Sequence, residues 1–305
     1  MTTSGLRAGS RSRPQRRPSR HAADNVLSPW ALRLIVTVMV LVVIVPVAYM
    51  LLISFTPDAS AALGTVNFAA LTLRNYVSMW SSAPLGAGLE HTLIIAGVSA
   101  AVSVLLGLLV AYPLARFAFR GRHTFLYTLI GTQTIPQTTL LLPLFVVFSW
   151  IQTALGVHLI GGYVAPIITY MTFGLPQCAW FLFTYIRVVP GALDEAAMLD
   201  GCSRTGVLFR IVFPVARPAV VVSFVFAFLV GWNDVLFASV LTNPSTQPLS
   251  LVMVQLANAE GGTGLPLYGQ LMAGAVVASL PVIVLYLVFQ RHLVRGLAAG
   301  SVAGA

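Results

Sequence analysis

One stretch carries residue types and spacing suited to chemistry with another molecule: Glu195-Ala196-Ala197-Met198-Leu199-Asp200-Gly201, followed by Ile211-Val212-Phe213-Pro214. Three of the chain's eight acidic residues, Asp194, Glu195 and Asp200, fall here within seven positions. The chemistry on offer is recognition rather than bond-making. Glu195 presents a carboxylate to a cation on a partner. The small side chains of Ala196 and Ala197 permit close approach by another backbone or side chain. Long apolar runs flank the stretch, so this charged island must lie outside a bilayer, where a soluble protein can grip it.

Local signals explain how the stretch is held. Pro190 and Gly191 stop the preceding apolar run. Ala192 to Asp200 are good helix formers, with acidic side chains in the first turn, where the helix dipole favours them. Gly201 suits the left-handed conformation that ends a helix, and Ser203 can cap the next. Val207, Leu208, Ile211 and Val212 form an apolar stripe at helical spacing. Pro214 limits that helix and Pro218 precedes the next apolar run. The expected product is two short helices joined by a tight turn. An amphipathic connector lying at the lipid interface is the plainer alternative.

The rest of the chain is built to sit in a membrane. It is 58% hydrophobic and 8% charged, with a mean hydropathy of +0.90, whereas soluble domains carry about 25% charged residues. Runs of about 20 apolar residues span a bilayer as helices. A barrel would need strands of alternating polarity, which are missing here. Six spans are expected, at about Leu34–Phe55, Thr92–Phe117, Phe125–Trp150, Val164–Ile186, Ala219–Leu241 and Leu271–Val288, with Gly274 and Pro281 interrupting the last. The fold class is therefore an all-α, polytopic membrane protein with six transmembrane helices and a cytoplasmic helix pair between the fourth and fifth. Residues 1–28 are rich in Arg, Ser and Pro and read as a disordered tail. Residues 29–305 read as the transmembrane domain, with the loop at about 187–217. The first apolar run is too long for the core of a cleaved leader.

The net charge of +9 does not point to nucleic acid. All seventeen basic residues are Arg, and sixteen lie in alternate segments: the N-terminal tail with Arg33, Arg116–Arg122, Arg187–Arg217, and Arg291 with Arg295. The intervening loops hold only Arg74. By the positive-inside rule both termini are expected in the cytoplasm.

Several activities are excluded by composition. With no Lys, a phosphate-binding loop of the G-x-x-x-x-G-K-[ST] type and a Schiff-base enzyme are both ruled out. If ATP is used, another chain binds and hydrolyses it. The five His lie in tails or near span ends, none at i, i+4 from another His or Cys, which argues against a metal. Cys178 and Cys202 read as small fillers rather than a disulfide. No catalytic residue and no cofactor of its own is expected.

The stretch also resembles a known family. Glu-Ala-Ala, three residues, Gly, nine residues, then Ile-x-Leu-Pro marks the coupling loop of the membrane subunits of ATP-binding-cassette importers. Glu195, Ala196, Ala197, Gly201, Ile211 and Pro214 fit it, with Phe213 where Leu is usual. Thr72-Leu73-Arg74-Asn75-Tyr76, Ala111-Tyr112-Pro113-Leu114-Ala115-Arg116-Phe117, Gly231-Trp232-Asn233-Asp234 and Gly296-Leu297-Ala298-Ala299-Gly300 resemble further segments of the maltose-type carbohydrate permeases. The likeness runs from about Ser28 to the C-terminus. One departure is in the tail, where Ala303-Gly304 replaces a common Lys-Gly. The resemblance implies a permease subunit that pairs with a homologous second permease in a complex with two ATP-binding subunits, its helix pair docking in a groove on an ATP-hydrolysing subunit. It also implies an extracytoplasmic binding protein that delivers a sugar, and ATP and Mg held by the ATPase.

Polar groups at membrane depth mark pathways or interhelical contacts. Gln133 and Gln137 lie around the Pro136 break in the third span, and Asn233 and Asp234 lie towards the outer part of the fifth. Trp180 and Trp232 offer aromatic faces to a sugar. Helix–helix hydrogen bonds and an interfacial aromatic belt are the alternatives for these residues. The segment at about 242–270, polar and Gly-rich with Glu260, is expected as an outer loop, reaching towards the binding protein or merely flexible. Rival readings are an importer of a polyamine or polyol phosphate, a self-contained channel or secondary carrier, and a membrane-embedded enzyme.

Overall fold

The computed structural model describes residues 28–302 apart from Thr263, without the side chains of Pro29 and of residues 291–302. The tail before Ser28, and Ala303 with Gly304, lie outside the described residues. The described residues form two compact units, divided between Tyr49 and Met50. Among the described residues the regular structure is helical, and only isolated bridges pair extended segments.

The helix α1 covers Pro29–Ser54 and contains Pro46. It leads into α2 (Asp58–Ala62) and α3 (Arg74–Ser82). The helix α4, Leu85–Arg116, has 32 residues and is therefore about 48 Å long. Next come α5 (Arg122–Gly131) and α6 (Leu141–Leu155), then α7 (Val164–Val188), α8 (Ala192–Leu199), α9 (Arg204–Val207) and α10 (Phe213–Val215). The chain closes with α11 (Arg217–Asn233), α12 (Leu236–Leu241), α13 (Leu249–Ala257) and α14 (Tyr268–Val302).

The helices α4, α7 and α11 form the centre of the second unit. Lipid-embedded helices gain little from burying oil-like side chains against one another, so close backbone approach matters more. A Cβ added at Gly107 on α4 would lie 2.9 Å from Cys178 Cβ and 3.1 Å from Ala179 N on α7. Cys178 is buried at that crossing, as a small residue must be. Around this centre the large apolar side chains of α6 and α14 point outward: Leu142, Val146 and Trp150 on one, Leu280, Val284 and Leu287 on the other. Apolar surface this extensive is suited to lipid or to a partner bundle.

Among the described residues, four helices are long and apolar enough to cross a membrane: Trp30–Ser54, Leu85–Arg116, Gln137–Leu155 and Tyr268–Gln290. A fifth is a broken pair, Arg204–Val215 with Arg217–Asn233, bent by 81°. The expected third span breaks at Pro136, as read from the sequence, and its parts are several. It is α5, a 3-10 turn at Thr132–Thr134, the Ile135-Pro136 break, a second 3-10 turn at Gln137–Leu140, and α6. Pro136 cannot donate to a helical ladder, and the chain turns there. The expected fifth span breaks at Asp234, between α11 and α12. The sixth goes the other way: α14 runs straight through Gly274 and Pro281.

The segment after α12 also differs from its expectation as an outer loop. Residues 249–257 form α13, whose Leu249, Val252 and Leu256 are buried against α4 and α14. That spacing puts the three side chains on one helical face. Thr92 Oγ accepts the Leu249 N–H at 2.7 Å and ties the start of α13 to α4.

Candidate functional site

The Val189–Ala216 segment crosses the end of the bundle where α4 and α7 finish. Gly201 takes φ +85°, the left-handed region that ends α8. A Cβ there would meet nothing within 4 Å, so a side chain would be penalised by backbone conformation alone. Ser203 caps α9, its Oγ accepting the Gly206 N–H at 3.1 Å. The helix then widens into a π turn at Leu208–Val212 before α10. The π turn sits just ahead of Pro214, whose ring and missing N–H would otherwise disrupt a regular turn. Val207, Leu208 and Val212 are buried together with Leu182 and Ile186 of α7 and Leu108 and Leu114 of α4, while Ile211 packs at the margin.

The outward face of this pair is open. Glu195, Ala196, Asp200 and Gly201 are exposed, and Leu199 is 89% exposed. Asp200, Gly201, Ser203, Thr205, Phe209 and Arg210 border a shallow open cavity of about 540 Å³. Ala196 and Ala197 do not form one small face. Successive helical residues are turned by about 100°, and Ala196 is exposed whereas Ala197 is buried in the cluster with Leu182 and Ile186. Only Ala196 remains open to close approach by another chain.

An ion pair anchors the segment from behind. Arg116 Nε, at the last residue of α4, donates to Asp194 Oδ2 at 2.9 Å, and its Nη1 donates to the Val189 carbonyl at 2.9 Å. The side chains of Arg116 and Asp194 are only 12% and 8% exposed. Next along the chain, Phe117 lies under the Arg204 guanidinium, 4.7 Å from ring centroid to Cζ. Asp194 was legible only as one of three acidic residues. Its partner is 78 positions earlier, a separation that no local pattern bridges.

The residues considered for a pathway fall into two groups. Gln133 is exposed and its Nε2 donates to the Phe173 carbonyl of α7 at 3.0 Å. Gln137 is exposed beside Pro136. Asn233 is exposed at the end of α11, its amide turned back to the Leu229 carbonyl. Trp180 is exposed and tilted against Phe183. The other two are already engaged. Trp232 is buried and stacks on Phe228, ring centroids 5.3 Å apart, which makes it a core residue. Asp234 Oδ2 accepts from Tyr170 Oη at 2.7 Å and from the Ala238 N–H at 3.0 Å, which starts α12. Gln133 and Asp234 thus reach α7 one turn apart, at Phe173 and Tyr170, rather than converging on one point.

The far end of α4 carries a second constellation. Asn75 Nδ2 donates to the carbonyls of Ser54 and Thr56 at 2.9 and 2.8 Å. Asp58 accepts from the backbone N–H of Gln270 at 3.0 Å and from its side-chain amide at 2.8 Å. Thr72 Oγ accepts the Arg74 N–H at 3.1 Å and starts α3. The Thr72–Tyr76 motif is therefore a clamp that joins the elbow after α1 to α3.

Comparison with known proteins agrees with this architecture. Residues 103–299 match the family model described as the inner membrane component of binding-protein-dependent transport systems. The sulfoquinovosyl glycerol transport system permease protein SmoH of Agrobacterium fabrum is 33% identical over 85% of this chain and 88% of its own length. The trehalose/maltose transport system permease protein MalG of Thermococcus litoralis is 30% identical over 87% of this chain and 94% of its own. In fold, the chain is similar to a crystal structure of a bacterial ABC transporter involved in the import of the acidic polysaccharide alginate, with a TM-score of 0.70, 17% identity, and coverage of 87% of this chain and 95% of that one. The chain is thus a membrane protein that belongs to the family of binding-protein-dependent transport system inner membrane components.

Proposed function

We propose that this permease carries a sugar or oligosaccharide across the bacterial plasma membrane, driven by ATP hydrolysis on a separate chain. The open face of the α8–α9 pair carries the reading. Two short helices held rigidly from behind, with Glu195, Ala196, Asp200 and Gly201 turned outward, suit docking into a groove on an ATP-binding subunit. Ile211 and Pro214 shape the second helix. Ala197 serves the dock from inside, by fixing α8 on the bundle. ATP and its Mg belong to two such subunits, so this chain needs no cofactor of its own. The sugar class is supported by the names of the two relatives, one for sulfoquinovosyl glycerol and one for trehalose and maltose.

In this reading α1, α4, the broken α5–α6 segment, α7, α11 with α12, and α14 are the six spans. The Arg distribution puts both termini and the 187–217 loop in the cytoplasm. The α2–α3 end and the turn after α13 then face outward, towards a binding protein that hands over the sugar. A homologous second permease covers apolar surface on this bundle, and lipid covers the rest. Gln133, Gln137, Asn233 and Trp180 line the route, while Asp234 and Trp232 fix its walls. Closure of the ATPase dimer moves the bundles between inward- and outward-facing states. A substrate or nucleotide drives that switch only through its different affinity for the two states.

The test is uptake by proteoliposomes holding this chain, its second permease and the ATPase. Entry of labelled sugar is expected only with ATP inside and loaded binding protein outside. Uptake by the two permeases alone, without ATPase, would make the protein a channel or carrier instead.

A further inference from the structure

Only two of the eight residues of α8, Asp194 and Ala197, are buried. Ala197 contributes one methyl group to the apolar cluster. A methyl contact resists compression but gives little resistance to sliding or withdrawal. The Asp194 carboxylate is held differently. Arg116 Nε and Nη2 meet its two oxygens at 2.9 and 3.4 Å, and Nη1 holds the Val189 carbonyl just past the end of α7. One guanidinium therefore joins α4, α7 and α8. A planar fork on a carboxylate fixes orientation as well as distance. Because both groups are largely buried, pulling them apart leaves a charge without its partner in a poorly solvated place. Phe117 beneath Arg204 ties α9 to the same end of α4.

We propose that the Arg116–Asp194 pair is the link through which displacement of α8 passes into the bundle. This rests on reading α8–α9 as the ATPase dock. The long α4 packs along both α7 and α11, so a pull on Arg116 is delivered to the centre of the second unit. Glu195, one residue on and turned outward, makes the contact with the partner. Asp194, turned inward, transmits it. Arg116 and Asp194 are positioning residues.

The experiment uses the complete complex in proteoliposomes with Arg116→Gln, Asp194→Asn, the double variant, and the milder Arg116→Lys. ATPase copurification, stimulated ATP hydrolysis, and sugar taken up per ATP are measured. Copurification is expected to persist, while uptake per ATP falls about tenfold in each neutral single variant. The double variant should be no worse than the poorer single, because the two residues act as one link. Arg116→Lys keeps the charge but loses the fork, and is expected to lose about threefold. A purely structural role would lower yield and uptake together and leave the ratio in surviving complexes unchanged. A wild-type ratio in Arg116→Lys or in either neutral variant, or losses that multiply in the double, would overturn the proposal. If Glu195→Arg abolishes ATPase association while the Arg116 variants stay fully coupled, the dock stands and the link alone fails. If the wild-type chain binds no ATPase, both fail.

Discussion

The two ends of α4 are fastened in different ways. At the Arg116 end the fastening is charged: a guanidinium fork on Asp194, with Arg204 over Phe117 beside it. At the Leu85 end the neighbouring elements are fastened by amides and backbone groups, with Asn75 on two carbonyls and Asp58 capping the start of α14. The structure around Gly269 leaves no slack. A Cβ there would fall 2.6 Å from the Thr56 carbonyl oxygen and 2.9 Å from Asp58 Oδ1, and also against Asn75 Nδ2. Around Gly201, by contrast, there is open space. The packing around Gly269 is closed upon its own chain, beside an open cavity of about 550 Å³ bordered by Asp58, Arg74 and Glu260, whereas the helix pair presents an exposed turn on a stiff support. A surface kept open at the end of a membrane bundle is what a docking partner requires. A close-packed clamp is what a fixed platform requires.

Substitutions at the two ends should therefore separate stability from coupling. The largest stability loss is expected from Gly269→Ala, about 3 kcal/mol, because the new methyl collides with backbone as well as side chains. Thermal unfolding of the solubilised chain would show it, and an unchanged midpoint would mean that the clamp is loose. Asn75→Ala comes next, at about 2 kcal/mol, since it strips donors from two carbonyls in a buried setting. Its effect should appear in the melting point, with ATPase association in the surviving protein intact.

The other end reverses the pattern. Gly201→Val is expected to cost about 1–2 kcal/mol from left-handed backbone strain on a β-branched residue, yet to abolish transport and weaken ATPase copurification. Normal uptake with normal copurification would contradict the docking role. Glu195→Arg is the smallest in stability, within about 0.5 kcal/mol because the side chain is exposed. It should nonetheless lower substrate-stimulated ATP hydrolysis more than Glu195→Ala does, by replacing attraction with repulsion. Wild-type stimulation in Glu195→Arg would reduce this carboxylate to a helix-start charge.

How much of this was legible in the sequence follows from how local each cause is. The turn at Gly201 and the cap at Ser203 depend on neighbours in the chain, and both were readable. Long apolar runs gave α1 and α7 to within a few residues. The start of α4 at Leu85 was placed late, at Thr92, because Gly88 and Thr92 are buried under α13, a helix read as loop. The break at Pro136 was readable from the proline, though not the 3-10 turns on either side of it, and Asp234 divided an apparently single fifth run because its carboxylate starts α12. Pro281 pulled the other way, since α14 continues through it. The Arg116–Asp194 pair was invisible for another reason: Arg116 lay in one recognisable motif and Asp194 just before another, but only the fold brings the two together.

The central claim is that the α8–α9 end, and not the α2–α3 end, meets the ATP-hydrolysing subunit. Single cysteines at Leu199 and at Ala59, both exposed, test it directly in a Cys202→Ser background, where the remaining Cys178 is buried. The assembled complex is treated with a short thiol cross-linker and the joined chains are identified. The account predicts that Leu199→Cys joins the ATP-hydrolysing subunit and that Ala59→Cys does not. An ATPase adduct from Ala59→Cys, or none from Leu199→Cys, would contradict it.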